Sequence, residues 1–145
     1  MSTTIHRRVE RLRAGEDPTF IERMPCGWAV MGEQQFLIGY CLLLPDPVVA
    51  NLNALASDAR LAFLADMAAL GDAVLAATGA ERINYAILGN LDPALHAHVV
   101  PRYATEPHAT RSSHPWAYDW SRAPRFDPEA QAALVAAIRA RLGRS

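Results

Sequence analysis

The stretch between Ser57 and Gly79 constrains the fold more than any other part of this 145-residue chain. Ser57 is a residue type that favours a helix N-cap, and Gly79 stands where a helix-terminating glycine belongs. Apolar residues recur between them at helical spacing in two adjacent rows: Leu61, Leu64, Ala68 and Leu75, and Phe63, Met67, Leu70 and Val74. So wide an apolar face has to be covered, and we expect this long helix to lie across a sheet.

Short apolar segments on both sides of this helix predict the strands of that sheet. They are residues 27–31, 36–44, 82–88 and 95–100. The first two have the pattern of a β-hairpin that Pro45 breaks, and the last two form a second antiparallel pair around a turn at 89–93. Two antiparallel pairs separated by one long helix indicate an α+β domain, with an antiparallel sheet of about five strands.

Helices are also predicted near both ends of the chain. The apolar stripe of Thr4–Arg13 has helical spacing. Asp17-Pro18 favours the start of a short second helix that runs to Met24, and Asp127-Pro128 favours the start of a last helix that Gly143 closes.

Charge and composition exclude several classes of partner. The chain has 14 basic and 15 acidic residues, so no overall field favours nucleic acid or an anionic membrane. Its two cysteines form no metal-binding or disulfide pattern. The longest apolar run, Phe36–Pro45, is too short to cross a bilayer, and we expect a cytoplasmic protein without a membrane partner.

His96 and His98 stand two residues apart in a predicted strand, so both imidazoles should point to the same face. The spacing leaves three interpretations open: two solvated side chains, a metal site, or a catalytic pair. A metal site would need a third ligand. The candidates for it are His6, His108, His114 and Asp92.

The residues around this pair resemble a known signature. Leu88-Gly-Asn90, followed by Leu95-His-Ala-His-Val-Val-Pro-Arg102, is similar to the motif of the histidine triad family of nucleotide hydrolases and transferases. That motif is His-x-His-x-His followed by two apolar residues, and commonly by Pro-Arg. Ala94 stands at the first position here, which resembles the subgroup that lacks the first histidine.

The segment Gly39-Tyr-Cys-Leu-Leu-Leu-Pro45 also resembles the family's glycine-then-apolar strand. The resemblance covers residues 27–102, which would be the motif-bearing core of a single domain, residues 1–145. Residues 103–145 would be its C-terminal extension.

The resemblance implies a chemistry for each residue of the motif. His96 would be the nucleophile that attacks the α-phosphorus of a dinucleoside polyphosphate or nucleoside phosphoramidate, and water would cleave the nucleotidyl-histidine intermediate. His98, Asn90 and Asn84 would contact phosphate, although Asn90 fits a turn equally well and a structural role is favoured for Asn84. No cofactor would be required, but a divalent cation could accompany a polyphosphate substrate.

Two other functions stay open at this stage: a non-catalytic nucleotide-binding or regulatory protein, and a metal-binding protein built on His96 and His98. The family resemblance further implies a homodimer. Three aromatic residues after the motif could stack a base, pack across a dimer or pin a loop: Trp116, Tyr118 and Trp120. Arg102 could face phosphate or a carboxylate of the chain itself.

For a histidine nucleophile we expect the acid limb of kcat/KM to have an apparent pKa within about a unit of ~6.5, with His96 and His98 titrating as a coupled pair.

Overall fold

The computed structural model describes residues 2–143. Its main elements are α1 (Thr4–Arg13), β1 (Phe20–Met24), β2 (Gly27–Met31), β3 (Cys41–Pro45), α2 (Ser57–Thr78), β4 (Arg82–Ala86), β5 (Ala97–Arg102), α3 (His108–Arg111) and α4 (Ala132–Leu142).

The five strands form one antiparallel sheet in the order β1-β2-β3-β5-β4. The predicted α+β fold, with about five antiparallel strands and one long helix packed on them, is confirmed. β3 lies at the centre of the sheet, and all five of its residues are buried. Its central position follows from its composition, since an uninterrupted apolar run can be buried on both faces.

One face of the sheet is covered by α2 and α4. Phe63, Leu70 and Val74 of α2 are fully buried there in one cluster with the inward-facing residues of β3 and β5. By length and composition α2 could cross a membrane, which the sequence analysis did not consider. Its buried residues pack on the sheet within the core.

The opposite face of the sheet is covered in part by α1. Ile5, Val9 and Leu12 form its buried stripe, as the sequence predicted, and they pack in one cluster with Leu42 and Leu44 of β3. This face also carries His98, because His98 is in register with Leu42. The candidate site is therefore built on the α1 side of the sheet.

The short helix expected from Asp17-Pro18 to Met24 is wrong, because this segment contains β1. The pairing of β1 with β2 is irregular between Phe20 and Glu22. That irregularity leaves Ile21 and Met24 both buried at a three-residue separation, which imitates the period of a helix.

The second strand of the hairpin starts at Cys41, five residues later than predicted. Residues 32–40 instead form a loop that the buried side chain of Gln35 closes. Its Nε2 donates to the carbonyl oxygens of Gly32 and Tyr40, and its Oε1 accepts from Gly39 N.

Other boundaries shift by a few residues. Ala56, not Ser57, is the N-cap of α2, while Gly79 ends this helix in the left-handed conformation as expected. β5 starts at Ala97, so His96 lies just before the strand. β4 ends at Ala86. α4 begins at Ala132, and Asp127 caps the turn before it.

Candidate active site

The proton of the His96 ring is placed by the main chain. His96 is buried, and its Nδ1 lies 2.7 Å from the carbonyl oxygen of Ala94. A carbonyl oxygen can only accept, so Nδ1 carries the proton and donates it. The neutral ring then keeps a lone pair on Nε2, which has no hydrogen-bond partner within residues 2–143. This is the form that a nucleophilic histidine requires.

Asp92 holds the turn that presents this carbonyl group. Its Oδ1 accepts from Ala94 N at 3.1 Å, and its Oδ2 accepts from Ile5 N at 3.0 Å in the first turn of α1. One carboxylate thereby links the start of a helix to the backbone of Ala94. Both oxygens of Asp92, one of the four candidates for a third metal ligand, therefore accept hydrogen bonds from the backbone.

His98 lies beside His96 with a ring-centroid separation of 4.9 Å. Its Nδ1 is 2.7 Å from Tyr40 Oη. Burial, and to a lesser degree the neighbouring His96, lowers the pKa of His98 to about 4. The His98 ring is therefore uncharged near neutral pH.

Both histidines line a cavity of about 540 Å³ on the α1 side of the sheet. Arg7 and Arg8 of α1 also line it, together with Glu33 and Asp92. Arg8 is buried and lies 3.9 Å from carboxylate oxygens of Asp17 and Glu33, which offset its charge. Arg7 is exposed and makes no ion pair with the described residues. The cavity thus combines two imidazoles with Arg7, a cation that has no ion-pair partner among the described residues.

The two asparagines predicted to contact phosphate are placed differently. Asn84 lies on β4, and its Oδ1 accepts from Arg102 Nη1 at 2.7 Å. It lines a second cavity of about 610 Å³ at the edge of the sheet. Asn90 is exposed in the turn before Leu91, Asp92 and Pro93, and these three residues form the wall beside the histidines. The structure therefore brings His96 and His98 together, whereas neither asparagine lies in the wall of their cavity.

The aromatic residues after the motif cover His98 on its other side. Trp116 meets His98 edge-on, with ring centroids 5.1 Å apart at 85°. Trp116 also stacks on Trp120, which packs against Phe36 and Tyr40. The segment is pinned to the core by its aromatic residues, and it also helps to bury His98.

Arg102 holds this segment through a buried network of hydrogen bonds. Its Nη2 forms an ion pair with Glu106 Oε1 at 3.0 Å, and the guanidinium also donates to the carbonyl oxygens of Thr110 and Ser113. Tyr118 Oη donates to the same Glu106 at 2.6 Å. Of the two alternatives for Arg102, the structure shows the contact with a carboxylate of the chain itself.

The described residues contain no group of three or more histidine, cysteine, aspartate or glutamate side chains that could hold a metal ion. His6 serves the N-terminal cap of α1, where its Nδ1 lies 3.0 Å from Thr3 Oγ1. His108 and His114 are exposed on the segment that follows β5. The pair His96 and His98 thus lacks a third ligand within residues 2–143.

Two residues of the site were missed by the sequence analysis. Tyr40 was quoted in the resembling strand but was given no role, and only the register of β3 against β5 brings it to His98. Arg8 carried a weak signal, because it lies one turn after Ile5 on the buried face of α1. An arginine at such a position needs buried partners.

No family model matches the chain, and no curated protein is significantly similar to it in sequence. Solved structures are similar to it in fold. A histidine triad protein from Bradyrhizobium japonicum has 20% identity and a TM-score of 0.74, over 90% of this chain and 94% of that one. One from Marinobacter aquaeolei has 22% identity and a TM-score of 0.74, over 93% and 94%.

A third similar structure is described as a hypothetical histidine triad nucleotide-binding protein, from Sulfolobus tokodaii. It has 14% identity and a TM-score of 0.74, over 95% of this chain and 92% of that one. These similarities show that the chain has the fold of histidine triad proteins.

Proposed function

We propose that this chain, which has the histidine triad fold, is a nucleotide hydrolase or nucleotidyl transferase that acts at an α-phosphate through His96. The observation that carries the proposal is the hydrogen bond from His96 Nδ1 to the carbonyl oxygen of Ala94. It leaves the lone pair of Nε2 for attack, in a cavity that also holds a second imidazole and a cation.

The reaction would proceed in two displacements. His96 Nε2 attacks the α-phosphorus, and the bond to the leaving group breaks with its electron pair going to that group. The positive charge on the new imidazolium is shared with Ala94 O through Nδ1–H. Water then attacks phosphorus and loses a proton to the solvent, His96 leaves with the electron pair of the N–P bond, and the nucleoside monophosphate is released. Transfer to another acceptor would replace water in the second step.

The other residues would bind and stabilise the phosphate. His98 is uncharged near neutral pH and would donate one N–H to a phosphate oxygen. Arg7 would meet the distal charge of a polyphosphate. No cofactor is required in this scheme, although a divalent cation would suit a polyphosphate substrate. Asn84 and Asn90 remain predicted phosphate contacts. Neither lines the cavity, so a substrate would contact them only if it extended beyond the cavity wall.

The enzyme is favoured over the non-catalytic alternative by the way Ala94 participates. Loss of a histidine at this position removes a side chain, but the atom that accepts the His96 proton belongs to the backbone. Asp92 holds that backbone in place. The groups needed to orient the nucleophile are therefore present without the first histidine.

The test is hydrolysis of diadenosine polyphosphates and adenosine phosphoramidates by the wild-type protein, His96→Ala and His108→Ala. The control, His108, is exposed on α3. His96→Ala should lower kcat/KM by at least about 10³-fold because it removes the nucleophile, while His108→Ala should retain full activity. Mass spectrometry of quenched wild-type protein should find a nucleotide linked to histidine.

Full activity in His96→Ala would refute the assignment of the nucleophile. Tight nucleotide binding by the wild-type protein, with neither product nor adduct, would favour the non-catalytic binding protein instead. Stoichiometric metal in the purified protein would favour the metal-binding alternative.

The proposal includes a homodimer in the cytoplasm, as the resemblance implies. The edge of β4 suits self-association, because this strand pairs only with β5 within residues 2–143. Two large apolar side chains are exposed there, Tyr85 on β4 and Leu88 just after it. Light scattering should give a mass near twice 15.8 kDa, and a monomer would exclude this part of the proposal.

A further inference from the structure

The ring of Tyr40 lies beside the ring of His98. Tyr40 precedes β3, and its ring is nearly parallel to the His98 ring, at an interplanar angle of 12°. The side chain is buried, with 5% of its surface exposed, and Tyr40 Oη is 2.7 Å from His98 Nδ1. His98 lines the cavity, whereas Tyr40 is not among its lining residues. Any effect of Tyr40 on a bound phosphate must therefore pass through His98.

The direction of this hydrogen bond follows from what each atom can do. Burial raises the pKa of Tyr40 above its ordinary value, so its hydroxyl group keeps its proton. Within residues 2–143, His98 Nδ1 is the only hydrogen-bond partner of that hydroxyl. A buried O–H group without an acceptor would be costly, so the phenol donates and Nδ1 accepts. A neutral imidazole has one N–H, which must then lie on Nε2.

His96 has the opposite arrangement. Its Nδ1 donates to a carbonyl oxygen and its Nε2 carries the lone pair. His98 accepts through Nδ1 and carries its proton on Nε2, on the side of the ring away from Tyr40. Two adjacent histidines that line one cavity are thus held in different tautomers by different partners.

We propose that Tyr40 is a positioning residue that holds His98 in the Nε2–H tautomer, so that one ring offers a lone pair and its neighbour a hydrogen-bond donor to the same phosphate. This inference rests on the proposed function for its catalytic consequence. The tautomers themselves are a property of the protein without substrate. With Nδ1–H instead, His98 would turn a second lone pair towards the phosphate and repel its oxygens.

Aromatic residues around Tyr40 protect its hydrogen bond to His98 from water. Trp120 packs edge-on against Tyr40 with ring centroids 5.4 Å apart, and Phe36 lies at 6.2 Å. Trp116 closes the edge of His98. These aromatic rings restrict the access of water, which could otherwise replace the phenol as partner of Nδ1.

The test compares the wild-type protein with Tyr40→Phe and Tyr103→Phe. Tyr103 is a matched control, because its hydroxyl group donates to the carbonyl oxygen of Ile38 in the same loop but does not bond to a histidine. Long-range proton–nitrogen NMR spectra report which ring nitrogen carries hydrogen, and His98→Gln assigns the signals. The same proteins are assayed for hydrolysis of the proposed substrates.

In the wild-type protein and in Tyr103→Phe, the spectra should show His98 protonated on Nε2 and His96 protonated on Nδ1. Tyr40→Phe should shift His98 towards a mixture of tautomers and leave His96 unchanged. Its kcat/KM should fall about tenfold, which is less than the ~10²-fold or more expected for complete loss of a phosphate donor.

A wild-type spectrum with hydrogen on His98 Nδ1 would overturn the inference, as would a Tyr40→Phe spectrum identical to that of the wild type. Equal loss of activity in Tyr40→Phe and Tyr103→Phe would reduce the role to support of the loop, and would likewise overturn it. If the wild-type protein shows the two opposite tautomers but hydrolyses no nucleotide, the proposed function fails while the tautomer assignment stands.

Discussion

The two walls around the histidines are held in different ways. His96 is oriented by a carbonyl group two residues away, and the turn that carries this group is fixed by Asp92. Trp116, on the other side of His98, lies on a segment whose position depends on Arg102 and Glu106. The first wall is a short-range backbone arrangement, whereas the second depends on a buried ion pair.

This difference separates His96, the proposed nucleophile, from its surroundings. A change in the C-terminal segment should alter the cover over His98 without moving the proton of His96. In the proposed reaction, the segment would thus change the preference for a leaving group independently of the nucleophile. The following experiments perturb the second wall or the His98 ring beside it.

The largest effect is expected for Arg102→Met. It leaves the Glu106 carboxylate buried without its cation, which should lower the free energy of unfolding by about 4 kcal/mol. Chemical denaturation measures this loss. Arg122→Met is the control, since Arg122 pairs with Asp119 at the surface, and it should cost less than about 0.5 kcal/mol.

In Arg102→Met the Trp116 fluorescence should also indicate greater exposure to water, while NMR should find His96 still protonated on Nδ1. A changed His96 tautomer would show that the two walls are coupled and not independent. Equal losses of stability in the two arginine variants would contradict the importance of the buried pair.

Acid should destabilise the protein through His98. Its pKa is about 4 in the folded protein, against an ordinary value of 6.5. Between these values the unfolded chain binds the proton and the folded protein does not, so stability falls as the pH is lowered from about 6.5 to about 4. The loss is at most about 3 kcal/mol. Denaturation curves across this range should show it.

His98→Gln should remove this part of the pH dependence, because glutamine does not titrate. His108→Gln should retain it, since His108 is exposed. Identical pH dependence in the wild-type protein and His98→Gln would mean that His98 titrates normally. With the pKa of His98 at about 4, the acid limb of kcat/KM between pH 5 and 8 should follow one proton and not the coupled pair expected from the sequence, because His98 stays neutral there.

The smallest effect on stability is expected for Trp116→Ala, because Trp116 is only partly buried. The free energy of unfolding should fall by about 1 kcal/mol. Water admitted beside His98 should raise its pKa towards the ordinary value, which an NMR titration measures. An unchanged His98 pKa would show that the second wall does not control the environment of this ring.

Much of the fold could be predicted, because its signals are local. The apolar rows of α2 and the stripe of α1 predicted both helices, and Gly79 marked a true end. β1 was not predictable in this way, since the irregular pairing at Phe20 and Glu22 depends on β2 and gives Ile21 and Met24 a helix-like spacing.

The same distinction applies to the site. The alternation of a strand predicted that His96 and His98 share one side, and both line one cavity. The contact of Tyr40 with His98 spans 58 positions of sequence and exists only through the pairing of β3 with β5. The partners of Arg102 could not be chosen either, because Glu106, Thr110 and Ser113 converge on it only once the segment has folded.

The acceptor at Ala94 has a consequence for the history of such a site. Every amino acid supplies the same carbonyl oxygen, so selection on the proton of the proposed nucleophile does not act on the identity of the side chain at this position. Ala94 is itself buried, with 3% of its surface exposed, so packing is what limits the alternatives. Small residues can therefore replace one another at this position. A change of the motif here is a poor guide to loss of activity.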